Sequence, residues 1–406
     1  RIRTVLLKGH EPVRLERGAE LTLRVVEFEG DAREIAISYE RLPDDVAPGD
    51  RIMLSDGMIE LEVAATGKGK VECRVLAGGQ LDEQAGINVP DVDLSISSPT
   101  DKDLEDLRFG LQQEVDYVAL SFVRAAGDIN CLKDAVEQET GLRESVPVVA
   151  KIERPEAVRN LREILLAADG VMVARGDLGI EMPTEAVPAA QKQIIRSANR
   201  LGVPVITATQ MLESMVDSPR PTRAEASDVA NAILDGTDAV MLSGETSIGR
   251  YPVQTVRMMD KIARHIEQYL REQDAAVPEV EEVHNRAEHA LANAACMIAR
   301  RLEAAGIVPF TQTGSTARYV SQRRPSAPIY ALTPDESTYR RLALLWAVRP
   351  VKLEMFETTD EMVQQGTRRL RQIGLVAAGD TIVYIAGAST ITPGGTDMLK
   401  IHRFEE

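Results

Sequence analysis

Val148-Val-Ala-Lys-Ile-Glu-Arg-Pro-Glu-Ala157 opens as a β-branched strand and closes as a proline-started helix. Side chains two apart on a strand point to one side, so Lys151 and Glu153 emerge together at the junction. A parallel α/β protein puts its chemistry at such junctions. Val171-Met-Val-Ala-Arg-Gly-Asp177 repeats the arrangement, with Asp177 at the exit of the next strand. A lysine and two carboxylates at neighbouring strand ends make a candidate divalent-metal site for phosphate chemistry.

The same rhythm extends to both sides. Apolar strands begin near Asp116, Val146, Gly170, Gly202 and Asp238, each followed by an amphipathic helical stretch. Their separations of 30, 24, 32 and 36 residues match the period of βα units. The strands are almost continuously apolar, as strands buried on both faces are. They end in Ser121-Phe122, Lys151 with Glu153, Arg175-Gly-Asp177, Thr209-Gln210 and Ser243-Gly-Glu245. One polar strand end means little, because strand ends meet solvent; five in register point to a site. Thr222 and Glu225, three apart and after Pro221, fit a helix capping box, which accounts for both as structural residues.

Glu153 and Asp177 are hard oxygen donors with no histidine or cysteine within their motifs, which favours Mg²⁺ or Mn²⁺ over zinc. Lys151 suits stabilisation of charge on a transferring phosphoryl group or an enolate oxygen. A plain Lys–Glu ion pair is the alternative. Gly176 and Gly179 argue for anion binding, since glycine lets backbone amides approach a ligand closely. Thr209 supplies a hydroxyl suited to a substrate carboxylate or a proton relay.

Before this array, residues 4–90 read as all-β. Segments 21–26, 34–39, 51–54, 58–64 and 70–75 alternate apolar and polar residues and are broken at Gly18, Asp56-Gly57, Gly67-Lys-Gly69 and Gly78-Gly79. That pattern predicts a small β-barrel or sandwich. From residue 277 a second α/β block begins, with a helix over 286–305 and strands at 307–311, 329–332, 351–353 and 381–386. This predicts a doubly wound sheet, reached through an acidic linker at 272–282 that contains Pro278. Thr311-Gln-Thr-Gly-Ser-Thr316 lies between strand and helix, where hydroxyls, a glycine and a helix start form a phosphate cradle. It lacks the P-loop pattern. Gly387-Ala-Ser-Thr390 and Thr392-Pro-Gly-Gly395 read as a facing loop or as plain turns.

Bulk properties exclude several classes. A net charge of −16 over 406 residues argues against nucleic-acid and anionic-membrane partners. Any bound phosphate must therefore be held by local cations, metal or amides. Cys73, Cys131 and Cys296 are odd in number and far apart, which predicts a reduced, cytoplasmic protein without structural zinc. No apolar run reaches the roughly 18 residues of a membrane span.

Five segments, in order, resemble pyruvate kinases: residues 150–157, 172–181, 206–215, 219–231 and 241–246. The resemblance covers almost the whole chain. It implies phosphoryl transfer from phosphoenolpyruvate to ADP, giving pyruvate and ATP, in a homotetramer. Glu153 and Asp177 would hold Mg²⁺ and Lys151 would stabilise the transfer. Thr209 and the amides of Gly176 and Asp177 would grip the substrate carboxylate, and Arg3 would lie near the phosphates. The implied fold is a TIM-type (β/α)₈ barrel with an inserted all-β lid and a C-terminal α/β regulatory domain. On this reading residues 1–3 are a barrel remnant, 4–90 the lid, 91–276 the last five barrel strands and 277–406 the regulatory domain.

The first three strands, a phosphate-side arginine and the family's K⁺ ligands are then missing. The expectation is part of a longer protein, inactive alone. The cradle at Thr311, Thr313, Gly314, Ser315 and Thr316 has few basic residues, which favours AMP or a sugar monophosphate over a bisphosphate. Two rival readings are a (β/α)₈ lyase acting on a related enolate, and a non-catalytic effector-binding module.

Overall fold

The computed structural model describes all residues except 1, 91, 93, 96–97, 274–279, 281–285, 357, 388–395 and 405–406. Most of the acidic linker and of the loop at 387–395 therefore lie outside the described residues.

The N-terminal region is built from β1 (Ile2–Arg3), β2 (Val13–Leu15), β3 (Glu20–Arg24), β4 (Glu34–Ala36), a helical turn α1 (Leu42–Asp45), β5 (Arg51–Leu54), β6 (Ile59–Gly67), β7 (Lys70–Ala77), β8 (Gly79–Leu81) and β9 (Gly86–Asn88). Seven strands form one mixed sheet in the order β1-β9-β5-β6-β7-β3-β4, and β2 pairs with β8. Alternate residues Ile59, Leu61 and Val63 on β6, and Val71, Cys73 and Val75 on β7, face a common buried core.

The barrel remnant expected at residues 1–3 takes another place. Ile2 and Arg3 pair antiparallel with Ile87 and Gly86 and belong to this sheet. β1 is only two residues long, and past it single bridges join Thr4 to Ile37 and Leu7 to Gly30. The Leu7 amide is taken by the Glu83 carboxylate at 2.7 Å instead of by a neighbouring strand.

A parallel array follows α2 (Asp101–Gln112). It runs β10 (Val118–Leu120), α3 (Ala126–Thr140), β11 (Val148–Ile152), α4 (Pro155–Arg159), α5 (Leu161–Ala167), β12 (Gly170–Ala174), α6 (Arg175–Glu181), α7 (Val187–Leu201), β13 (Val205–Ala208), α8 (Arg223–Leu234), β14 (Ala239–Val240), α9 (Gly244–Ser247) and α10 (Pro252–Glu272). The five strands pair in sequence order, all parallel. Val148, Ala150, Ile152, Val171 and Val173 share one buried core with Ile129, Leu132 and Val136 of α3 and Ile194, Ile195 and Ala198 of α7. Burying each larger aliphatic side chain contributes about 1.5–3 kcal/mol.

The last region contains α11 (Arg286–Arg301), β15 (Gly306–Pro309), α12 (Ser315–Ser321), β16 (Ile329–Thr333), α13 (Glu336–Arg341), β17 (Val348–Lys352), α14 (Thr359–Gln372), β18 (Thr381–Ala386) and β19 (Met398–Arg403). Its strand order is β17-β16-β15-β18-β19, with β19 antiparallel to β18. The order reverses between β15 and β18, the switch point of a doubly wound sheet. Helix α14 packs tightly on this sheet at Gly366, where a Cβ would stand 2.8 Å from Leu332 Cδ1.

This region docks on the N-terminal side of the parallel strands. Arg340 Nε donates to both Asp116 oxygens at 3.0 and 2.8 Å, just before β10. Arg341 Nη2 donates to Ser145 O at 2.6 Å. Gln322 Nε2 donates to Gly202 O at 2.6 Å, and Arg324 pairs with Asp238 at 2.9 Å, just before β14.

The capping box at the start of α8 forms as its spacing predicts. Glu225 N donates to Thr222 Oγ1 at 3.2 Å, and Thr222 N donates to Glu225 Oε2 at 2.7 Å. The same carboxylate accepts the Ser214 amide and hydroxyl at 2.7 and 2.5 Å, tying a second turn to the cap. Burial raises the Glu225 pKa, but the bonds from Ser214 and Thr222 outweigh it and hold the pKa below the usual value. Glu225→Ala is expected to cost about 2 kcal/mol, measured by urea unfolding at neutral pH. A lowered carboxyl pKa stabilises the fold above the unfolded-state value of about 4.3. The difference between wild type and variant should therefore shrink as pH falls through the folded-state pKa.

Candidate active site

Lys151 leaves β11 on the face opposite buried Ala150 and Ile152, and two partners hold its ammonium. Nζ donates to Ser121 Oγ at 2.7 Å and stands 2.5 Å from Glu153 Oε1. Glu153 has no solvent exposure. Its Oε2 accepts the Phe122 amide at 2.6 Å, while Oε1 faces the Lys151 ammonium in a buried ion pair. Burial pushes the Glu153 carboxyl up. Lys151 and the Phe122 amide oppose that shift, and the nearby charge of Asp177 adds to it.

A fully buried carboxylate whose charge is opposed by a second carboxylate has room for more positive charge than one lysine supplies. Among the described residues no group of three or more His, Cys, Asp or Glu side chains is placed to hold a metal. Two hard carboxylates fit Mg²⁺ or Mn²⁺, which take one or two protein carboxylates and leave other positions to water and substrate. Glu153 and Asp177 thus fit the group.

Thr209 lies just beyond β13, with φ of +66°. A β-branched residue pays for a left-handed conformation, so neighbours must impose it. Arg175, the first residue of α6, does so. Its Nη2 donates to Thr209 O at 2.6 Å and its Nε to Ala208 O at 3.3 Å. Asp228 of α8 holds the guanidinium at 2.5 Å and Gln191 of α7 at 3.4 Å. The Gly176 amide donates to Thr209 Oγ1 at 2.9 Å, and that hydroxyl donates to Ala208 O at 2.7 Å. The Gly176 amide expected to grip a carboxylate is therefore engaged with Thr209 here. Phe122 repeats the device at the end of β10, with φ of +54° aiming its amide at Glu153.

The structure thus brings Lys151, Glu153, Asp177, Gly176 and Thr209 to adjacent strand ends. Arg3 lies in the N-terminal sheet, where its Nη1 donates to Gln84 O at 2.7 Å. Ser121, Phe122 and Arg175 were visible as strand ends, but their roles depend on contacts across strands. The buried bond from Asn88 Nδ2 to Glu181 Oε1 at 2.8 Å and the contact of Arg154 Nη2 with Val92 O at 3.2 Å join the N-terminal region to this end of the array. No sequence signal marked them.

At the candidate cradle the residues separate into two sets. Thr311 Oγ1 accepts the Gly314 amide at 2.9 Å, and Thr316 Oγ1 bonds Thr396 Oγ1 at 2.9 Å; Thr311, Thr316 and Thr396 are all buried. Thr313 is exposed, and its hydroxyl lies 3.2 Å from that of Ser315. Thr311 and Thr316 hold the loop's shape, because buried hydroxyls must be satisfied internally. Gly314 takes φ of +91° to start α12.

The family model described as "Pyruvate kinase, barrel domain" matches residues 1–256, and "Pyruvate kinase, alpha/beta domain" matches 289–402. The barrel match begins at residue 1 and includes the β-rich sheet, so it does not bear out the expected absence of an N-terminal part. The chain is 48% identical over 391 residues to "Pyruvate kinase 2" of Synechocystis, covering 96% of this chain and 65% of the relative. It is 45% identical over 392 residues to "Pyruvate kinase" of Geobacillus stearothermophilus, covering 96% and 66%. The chain thus spans about two thirds of these relatives. A solved pyruvate kinase from Cryptosporidium parvum superposes with a TM-score of 0.86 at 34% identity, over 99% of this chain and 82% of that one.

Arg175→Met removes the clamp on Thr209 and strands Asp228. It is expected to cost about 2–3 kcal/mol in denaturant unfolding. Thr209→Val, which loses one hydroxyl and keeps the clamp, should cost less than half of that. Equal losses would mean that Arg175 does not hold the turn.

Proposed function

The chain belongs to the pyruvate kinase family, and from that we propose that it carries out divalent-metal-dependent phosphoryl transfer from phosphoenolpyruvate to ADP. The observation that carries this reading is the Lys151 ammonium, held by Ser121 and a fully buried Glu153 beside Asp177. A bound Mg²⁺ or Mn²⁺ would neutralise charge on substrate oxygens. Lys151 places a fixed positive charge where the phosphoryl group would pass, held in position before the charge develops. Ser121 keeps the ammonium directed outward from the strand.

Thr209 presents a hydroxyl whose orientation is set by Arg175 and Gly176, suited to a substrate carboxylate or to proton delivery at an enolate. Arg3 is assigned to phosphate contact by resemblance alone. Regulation through the C-terminal region rests on the loop after β15, which sits at the switch point where doubly wound sheets bind ligands. Its ligand-facing residues are Thr313, Gly314 and Ser315, and the effector is AMP or a sugar monophosphate.

Coupled detection of ADP-dependent pyruvate formation tests the activity and separates it from a lyase or a binding module. Lys151→Met is expected to lower kcat by 10²–10³-fold or more while phosphoenolpyruvate still binds; near-normal turnover would refute the lysine's role. Glu153→Gln is expected to weaken Mn²⁺ binding at least about tenfold by titration calorimetry, a readout independent of turnover. Unchanged affinity for a sugar monophosphate in Thr313→Glu would discard the cradle.

A further inference from the structure

Glu181 closes α6 where three segments meet, and its side chain is buried. Its Oε1 accepts Asn88 Nδ2 at 2.8 Å, from the end of β9 in the N-terminal sheet. Its Oε2 stands 3.8 Å from Nη2 of Arg154, the residue that follows Glu153. One position earlier, Ile180 lies against the turn between β5 and β6. A Cβ on Gly57 in that turn would stand 3.7 Å from Ile180 Cγ1. Strands β5 and β9 are paired, with Met53 opposite Asn88, so one corner of the sheet meets the end of α6 twice.

The other end of α6 is anchored in the parallel array. Arg175 clamps Thr209 O, and the Gly176 amide donates to Thr209 Oγ1. Asp177 lies between the two anchorages, four residues before Glu181. Residues four apart share a helix face, and this seven-residue helix is only about 10 Å long. A displacement at Glu181 therefore reaches Asp177 with little loss on the way. Two acids at that spacing repel each other, and burying one of them adds to the cost. Burial raises the Glu181 pKa; the Asn88 bond and the Arg154 charge oppose that rise, and Glu156 and Asp177 add to it.

With Glu153 and Asp177 as the metal carboxylates of the proposed function, on which this rests, we propose that Glu181 is a positioning residue. Through Asn88 it lets the β-rich region set the place of Asp177. An apolar residue would close the same seam at less cost, but without direction. A hydrogen bond to a buried carboxylate fixes where the helix end sits as well as covering it. Glu181 acts through Asp177 and not on the reacting atoms, and metal affinity depends on a contact made outside the array.

Mn²⁺ alone, titrated calorimetrically into the full chain without substrate, reads the site independently of turnover. Asn88→Ala and Glu181→Ala are each expected to weaken Mn²⁺ binding about tenfold. The double variant should stay within about twofold of Glu181→Ala, because both changes remove one contact. Glu181→Gln keeps an acceptor for Asn88 and should stay within about threefold of wild type. Val71→Ala truncates a buried core residue on β7, three strands from β9, and should lower stability while leaving Mn²⁺ affinity unchanged. If Glu181→Ala does not fold, Asn88→Ala against Val71→Ala decides. Unchanged affinity in Asn88→Ala, losses that multiply in the double variant, Glu181→Gln as weak as Glu181→Ala, or an equal loss in Val71→Ala overturns the proposal. A Glu153→Gln variant that binds Mn²⁺ as wild type does overturns the metal assignment itself. Unchanged Asn88→Ala beside a weakened Glu153→Gln overturns only the role of Glu181.

Discussion

Glu153 is a carboxylate with no exposure to water, and everything around it answers the cost of keeping it charged there. An isolated buried carboxylate protonates rather than pay its desolvation penalty. The Lys151 ammonium at 2.5 Å and the Phe122 amide at 2.6 Å offset part of that penalty. The amide points the right way only because Phe122 accepts a left-handed backbone. Asp177 adds negative charge where more positive charge is already wanted. On the proposed function, a bound divalent ion would supply the further positive charge that two neighbouring carboxylates and one lysine leave wanting.

The parallel sheet gives this deficit its location and leaves the rest of the molecule a separate end to work with. All five strands of the array run the same way. Their C-terminal ends carry Lys151, Asp177 and Thr209 and are joined by the β-rich region through Asn88–Glu181. Their N-terminal ends carry Asp116, Gly202 and Asp238 and receive the C-terminal region through Arg340, Gln322 and Arg324. Chemistry and docking occupy opposite poles of one rigid element. Any coupling between the two poles has to pass along the strands and helices of the array.

Much of the site was legible before any coordinate. The two-residue spacing of Lys151 and Glu153, the repeated exit at Asp177 and the Thr222–Glu225 cap depend on local periodicity, which is written in consecutive residues. The pairing of Ile2 and Arg3 with β9 was not legible, because strand partners more than eighty residues apart carry no local mark. The division of the loop at 311–316 into buried and exposed hydroxyls was hidden for a related reason. Thr316 turns inward because Thr396 meets it, and nothing near Thr316 in the chain announces that partner.

The amino-acid sequence by itself determined the βα rhythm, the residue types at the strand ends and the family, since these follow from side-chain period and local motif. Only the tertiary structure decided that Arg175 locks Thr209 in its left-handed turn and that Glu153 is sealed from water. Each of these depends on atoms brought together from distant parts of the chain, and burial and charge act through distance in space rather than position in sequence.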